Sequence, residues 1–323
     1  MIVAGFDEAG YGPLLGPLVV GSSAFEVPGD VLDIGEPGIG EPDLWEELAD
    51  AVRRTGKGDK NKLWVADSKV IKPRKDGLKN LELGVLAFRG QREATNLEAL
   101  IDVLGGGRGY ARQPWFQGFD EVKVPEFAWT GEVAARADRF DEAAKAAGVR
   151  FIGAEVRLLD AQSYNERVSV TKNKAALLEE ACVSMLSSLR KSTRGPMRVT
   201  CDKHGGRSTY LRLCGKAFPL CELHILEEGP DISTYTTETP QGPVWISFRK
   251  GGEDKSLAVA LASMHCKYLR ERCMARFNAW WSEQIEGLKP TAGYAVDGKR
   301  FIQDVAPELR RLKVARNVLV RQR

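Results

Sequence analysis

The sequence predicts an α/β fold with a mixed central sheet, on two observations. Short apolar, β-branched runs alternate with longer stretches whose apolar residues recur every three to four positions. Three of the short runs also end in acidic residues beside glycine turns, as sheet strands do where they deliver side chains to a shared edge. The chain has 323 residues, 43% hydrophobic and 28% charged, enough to bury a core in one large domain or two ordinary ones.

The elements follow in order. Residues 1–6 and 17–26 read as strands flanking a Gly/Pro-rich turn, "GYGPLLGP". Residues 27–43 are rich in Gly, Pro and acid and predict an irregular insertion, after which "LWEELADAVRR" (44–54) predicts a short amphipathic helix. A second irregular stretch, 104–118, carries arginine and aromatic residues. Residues 149–159 predict a strand, 171–192 an amphipathic helix, and 195–206 a strand closed by a glycine turn. Strands are expected within 219–228 and 243–249, followed by a long helix over 256–285. There is no internal repeat and no low-complexity segment.

Composition excludes several classes. No run of about eighteen apolar residues occurs and no signal peptide is evident, so neither a membrane partner nor export is expected, and a cytoplasmic address is. Six cysteines in so long a chain read as free thiols rather than a disulfide scaffold. A net charge of +3 declares no partner, yet Lys and Arg cluster at 53–62, 67–79 and 308–323, where they offer ground for phosphates.

The acids at the strand ends carry the chemistry. Asp7 and Glu8 close the first strand, Asp202 closes "MRVTCD", and Glu253 with Asp254 follow "VWISFRKGG". Carboxylates gathered within a few Å repel one another, and divalent cations make the cluster tolerable. Hard oxygen donors select Mg²⁺ or Mn²⁺, and two such ions roughly 3.5–4 Å apart drive phosphodiester hydrolysis. Taken singly, an acid at a strand end is more often a cap or surface residue.

The motifs resemble, in order, those of the type 2 ribonucleases H. "GFDEAGYGPLLGPLVV" resembles the N-terminal signature of that family, and "ADSKVIKPRK" its Asp-Ser-Lys segment, here Asp67, Ser68 and Lys69. "RVTCD" resembles the strand bearing the third acid. "KGGEDKSLAVALASMHCKYLRERCM" is similar to the family's Lys-Gly-Asp segment and following helix, matching Ala262, Ser263, Lys267 and Arg270, and "TAGYAV" matches its Gly-Tyr at Gly293 and Tyr294.

The resemblance implies a divergent member with a ribonuclease H-like fold, a mixed central sheet flanked by helices and a C-terminal helical extension. It implies a metal-dependent endonuclease that hydrolyses the RNA strand of an RNA/DNA hybrid, or cuts at a ribonucleotide embedded in DNA. Asp7, Glu8 and Asp202 would be catalytic metal ligands with Glu253 or Asp254 as fourth acid. Gly10, Tyr11, Gly12, Ser68, Lys69 and Tyr294 would contact substrate, with Lys72 and Arg74 as further phosphate contacts. Tyr11 stands where the family has arginine, which leaves two alternatives open: a nuclease of the same fold with another substrate, or an inactive nucleic-acid-binding module. The expected division is a catalytic domain over 1–260, with insertions near 27–62 and 88–130, and a helical region over 261–323 packed on it. A monomer is expected.

Other motifs weigh less. "GYGPLLG" misplaces the third glycine of a dinucleotide-binding turn, and Cys201, His204, Cys221 and His224 imitate zinc spacing from within apparent strands. His204 stands where it could aid proton transfer or merely fill the turn. His265, Trp280 and Trp281 read as packing residues.

Overall fold

The computed structural model describes residues 1–29, 42–205 and 207–322. Its strands are β1 (Ile2–Ala9), β2 (Leu18–Glu26), β3 (Val52–Arg53), β4 (Leu63–Trp64), β5 (Arg150–Leu159), β6 (Met197–Asp202), β7 (Leu223–Glu228), β8 (Ile232–Thr239) and β9 (Gly242–Arg249). Seven form one sheet in the order β5-β2-β1-β6-β9-β8-β7, while β3 and β4 pair by themselves. The central trio β1, β6 and β9 is parallel, and the outer strands add antiparallel to it. The expected mixed sheet flanked by helices is therefore present.

The parallel trio positions the site. Phe6 pairs with Cys201, and Cys201 with Phe248, so β1, β6 and β9 reach the same edge in register and the residues after Phe6 and Cys201 are Asp7 and Asp202. Along β1 the side chains alternate between faces. Ile2, Ala4 and Phe6 enter a core with Leu178, Met185 and Tyr210, whereas Val3 enters the core of the long helix Leu257–Gln284. Gly5 shares Val3's face, and a Cβ there would stand 2.0 Å from the Val259 nitrogen. Only glycine lets this helix lie so close on β1.

The long helix is buried along most of its length, including Ala258, Ala260, Leu261, Met264 and Cys266. It begins at Ser256, whose hydroxyl caps Val259 N. The 260/261 position lies inside this helix. The C-terminal helices Ala295–Asp304, Ala306–Arg311 and Arg316–Leu319 bury Phe301, Leu309 and Leu319 in the same core. Trp280, Trp281 and Trp115 pack edge to face and stacked there, and His265 is buried between the Leu261 carbonyl and Gln91.

Three expected elements differ. The 44–54 helix shrinks to Leu44–Glu47, capped by Asp43, because Val52–Arg53 pairs with Leu63–Trp64 instead. The 171–192 helix starts at Ala175, because Lys172 adopts φ +53 and ends a preceding helix, Ala161–Thr171, that the pattern did not show. The strand within 219–228 begins only at Leu223, and Leu220 at φ +73 breaks the chain before it. The expected insertion near 27–62 lies partly outside the described residues. The one near 88–130 is anchored by buried Glu82, whose carboxylate accepts from the nitrogens of Glu126, Phe127 and Ala128. All six cysteines are free thiols.

Candidate metal centre

Asp7, Asp202 and Glu253 each bring a carboxylate oxygen within 4.8 Å of the others, the metal-capable group found among the described residues. Three local devices build it. Register places Asp7 beside Asp202. The Gly251 turn, at φ +66, reverses the chain after β9, and its neighbour Gly252 donates its N–H to Asp202 Oδ1 at 3.2 Å. Glu253 then falls in a single 3₁₀ turn ahead of the long helix and is 4% exposed. Asp254 is exposed and stands outside the group, so of the two candidate acids the fold brings Glu253 into contact.

Burial and mutual repulsion show in the acidities. Burial foremost, then Glu8, Glu253 and Asp202, hold the Asp7 carboxyl well above the usual range, against a hydrogen bond from Ser263. Asp202 is likewise raised, by burial and by Glu253. Glu8, on the opposite face of β1 from Asp7, lies outside the three-acid group yet feels it: burial and Asp202 push its carboxyl up to about 7 while Lys69 pulls it down. Asp7 Oδ2 is buried with no hydrogen-bond partner among the described residues. An unpartnered buried carboxylate oxygen facing two more carboxylates is costly alone and fits a hard divalent cation.

The second layer fixes these acids. Lys69 Nζ donates to Glu253 Oε1 at 2.9 Å, and burial alone would lower its ammonium pKa, but Glu253, Asp67 and Asp7 raise it. Ser68 is buried, with its hydroxyl 2.9 Å from that of Ser263, so it supports the serine that bonds to Asp7. Asp67 caps the short helix bearing both Ser68 and Lys69. Sequence reasoning matched Ser263 to a motif without seeing its bond to Asp7. Its spacing of seven residues from Ser256, about two turns along the same helix, was the available signal.

The glycine turn forms the adjoining wall. Gly10 has φ +89, and a Cβ there would meet the Pro17 carbonyl at 2.6 Å, whereas around Gly12 nothing lies within 4 Å. Tyr11 is half-buried, with Lys174 Nζ 4.7 Å from its ring centroid. Gly293, at φ +82, accepts from Leu14 N at 2.8 Å, which stitches exposed Tyr294 beside this turn. Buried Arg270 clamps both segments by donating to the carbonyls of Pro17, Leu15 and Ala292. Arg321, in the C-terminal basic cluster, is buried and donates to the Pro13 carbonyl, so it holds the turn rather than facing a ligand.

The zinc-like pattern does not assemble, since Cys201 is buried in β6 while His224 is exposed on β7. His204 is half-buried in its turn, with Cys182 Sγ 3.9 Å from Nε2, and desolvation followed by Arg207 lowers its pKa to about 4.

The sequence matches no protein-family model and no curated protein. Its structure is similar to that of ribonuclease H2 from Pyrococcus horikoshii OT3, with a TM-score of 0.47 and 17% identity, covering 99% of this chain and 92% of that one. It is also similar to RNase HII of Archaeoglobus fulgidus, solved as a PCNA complex, with a TM-score of 0.42 and 16% identity, covering 100% and 95%. A third likeness is RNase H3 of Aquifex aeolicus, with a TM-score of 0.39 and 13% identity, covering 98% and 70%. At identities this low, no residue role passes from those proteins to this chain.

Proposed function

We propose that this chain is a divalent-metal-dependent endoribonuclease that hydrolyses the RNA strand of an RNA/DNA hybrid or cuts at a ribonucleotide within DNA. The observation that carries the reading is the gathering of Asp7, Asp202 and Glu253, from three separate stretches of chain, with one carboxylate oxygen of each within 4.8 Å of the others, and with Asp7 Oδ2 buried and unpartnered among the described residues. The match of these positions to the ordered motifs of the type 2 ribonucleases H supports it.

Asp7, Asp202 and Glu253 would hold Mg²⁺ or Mn²⁺, with Glu8 adding charge from the other face of β1. Cations bound there would neutralise the phosphate and activate water, leaving a 3′-hydroxyl and a 5′-phosphate. The chain's own contribution is placement. Lys69 holds Glu253 in one orientation while its largely exposed ammonium remains near an incoming phosphate. Ser263, backed by Ser68, turns Asp7 toward the other acids. Gly10 lets the turn pack tightly, and the open space at Gly12 admits a sugar close to the backbone, where N–H and C=O groups can recognise a ribose 2′-hydroxyl. Tyr11 precedes that glycine and stands in for the arginine of the family motif, and exposed Tyr294 follows Gly293, which is bonded to the same turn.

The test is cleavage, with Mn²⁺ or Mg²⁺, of a uniform hybrid, a duplex with one ribonucleotide, and plain DNA. Wild type is expected to cut the first two, and Asp7→Asn, Asp202→Asn and Glu253→Gln to lose about 10³-fold or more in rate. Cleavage of plain DNA alone would assign another substrate to the same centre. Binding without cleavage in any metal would leave a nucleic-acid-binding module and overturn the enzymatic reading.

A further inference from the structure

A centre built of acids repels the backbone it must cut, so the phosphates on either side of the scissile bond need positive ground nearby. A groove among the described residues supplies it, its lining joined to the centre's supports through Arg54 and Val70. It has a volume of about 890 Å³ and lies between residues 53–64, the segment after Lys69, and the helices Gly77–Leu86 and Thr130–Ala146. Its walls carry Arg53, Arg54, Lys57, Lys60, Arg74 and Lys75.

Two features mark this as a built surface. First, its cations outnumber its acids: of the two acids that line it, Asp76 and Glu132, Glu132 is already paired with Lys79 at 2.8 Å and with Arg136 at 3.6 Å. Arg54, Lys57, Lys60, Arg74 and Lys75 make no ion pair among the described residues, and all five are exposed. Second, the groove has an aromatic wall. Trp64 lines it with Arg53 over its ring at 5.4 Å, and its Nε1–H is buried without a partner. Two contacts link the lining of the groove to the metal centre. Arg54 stacks 4.5 Å over Trp45 and donates to the Asp254 carbonyl, on the turn that carries Glu253. Lys69 meets Glu253 while the next residue, Val70, lines the groove.

We propose that this groove is an extended phosphate track, bordered by residues 53–64, that holds the backbone of the same duplex beyond the scissile phosphate. Its contacts are to phosphates alone, so they lengthen the footprint without reading sequence. The inference rests on the nuclease reading above.

The test uses the full chain carrying Asp7→Asn, so that the duplex is bound and not cut. Affinity for a hybrid is measured against salt concentration with the hybrid shortened from either end. Removing Lys57, Lys60 and Lys75 together as alanines is expected to lower the slope of log K on log salt by up to about 2.7, at about 0.9 for each phosphate no longer neutralised. Affinity should fall at least about tenfold. Shortening one end of the hybrid should weaken the parent and leave this variant nearly unaffected. A control that removes the same charge elsewhere, Lys145→Ala, Lys191→Ala and Lys299→Ala, should keep the parent slope and length dependence. If both triple variants change the slope equally, or neither does while the parent binds and wild type cuts, the track is overturned and the nuclease stands. If wild type neither binds nor cuts any hybrid, the nuclease reading fails and takes the track with it.

Discussion

Replacing Glu8 by glutamine is expected to stabilise the metal-free protein. Burial first, and then the charge of Asp202, raise the Glu8 carboxyl from 4.5 to about 7. An acid whose folded-state pKa is raised holds its proton more tightly in the folded than in the unfolded chain. Folded stability therefore declines as pH climbs from the unfolded value through the folded one, here between 4.5 and about 7. At about 1.36 kcal/mol per pKa unit, ionised Glu8 costs about 3 kcal/mol above that window, an upper bound because part of the side chain remains in water. Glutamine keeps the shape and removes the charge, so at about pH 8 without metal the variant should melt up to about 5 °C higher than wild type. At about pH 3, well below the unfolded value of 4.5, both states of wild type are protonated and the difference should vanish. Saturating Mg²⁺ should raise the wild-type melting temperature by mass action and raise the variant less. Scanning calorimetry across this pH range, with and without Mg²⁺, reads all three. Equal melting temperatures for wild type and variant in metal-free buffer at the alkaline end would refute the reasoning, because ionised Glu8 would then be destabilised neither by its burial nor by the charge of Asp202.

Three further substitutions probe the supports and the glycine positions. Ser263→Ala removes the hydroxyl that bonds to Asp7 and Ser68; it should cost about 1 kcal/mol of stability and raise the Mg²⁺ concentration needed for half-maximal cleavage, read from metal titrations of the rate. Gly5→Ala would drive a Cβ to 2.0 Å from the Val259 nitrogen, so denaturant unfolding should show a loss of about 3 kcal/mol or more, whereas Gly12→Ala, with nothing within 4 Å, should leave stability unchanged.

How much was legible follows from particular residues. The strands that became β1, β2, β6 and β9 were readable because each is apolar enough to sit in or beside the buried centre of the sheet, and the edge strand β5 because its apolar residues still stand out between glycine and arginine. β8 was not, because "ISTYTTET" buries Ser233, Tyr235 and Thr237, and hydroxyl-bearing residues give no apolar alternation. The break at Lys172 escaped because a left-handed residue other than glycine carries little compositional signal.

The sequence by itself determined that acids close the strands later seen as β1 and β6 and follow the one seen as β9, since strand ends are marked locally by apolar runs and glycine turns. The tertiary structure alone decided which of them meet. Choosing Glu253 over Asp254 depended on the 3₁₀ turn and on Lys69, 184 residues away in sequence. The separation of Asp7 from Glu8 depended on which face the long helix covers, and the basic groove on chain segments that become neighbours only after folding. Local pattern records a residue's own backbone preferences, whereas the distance between two charges is set by every contact that folds the chain between them.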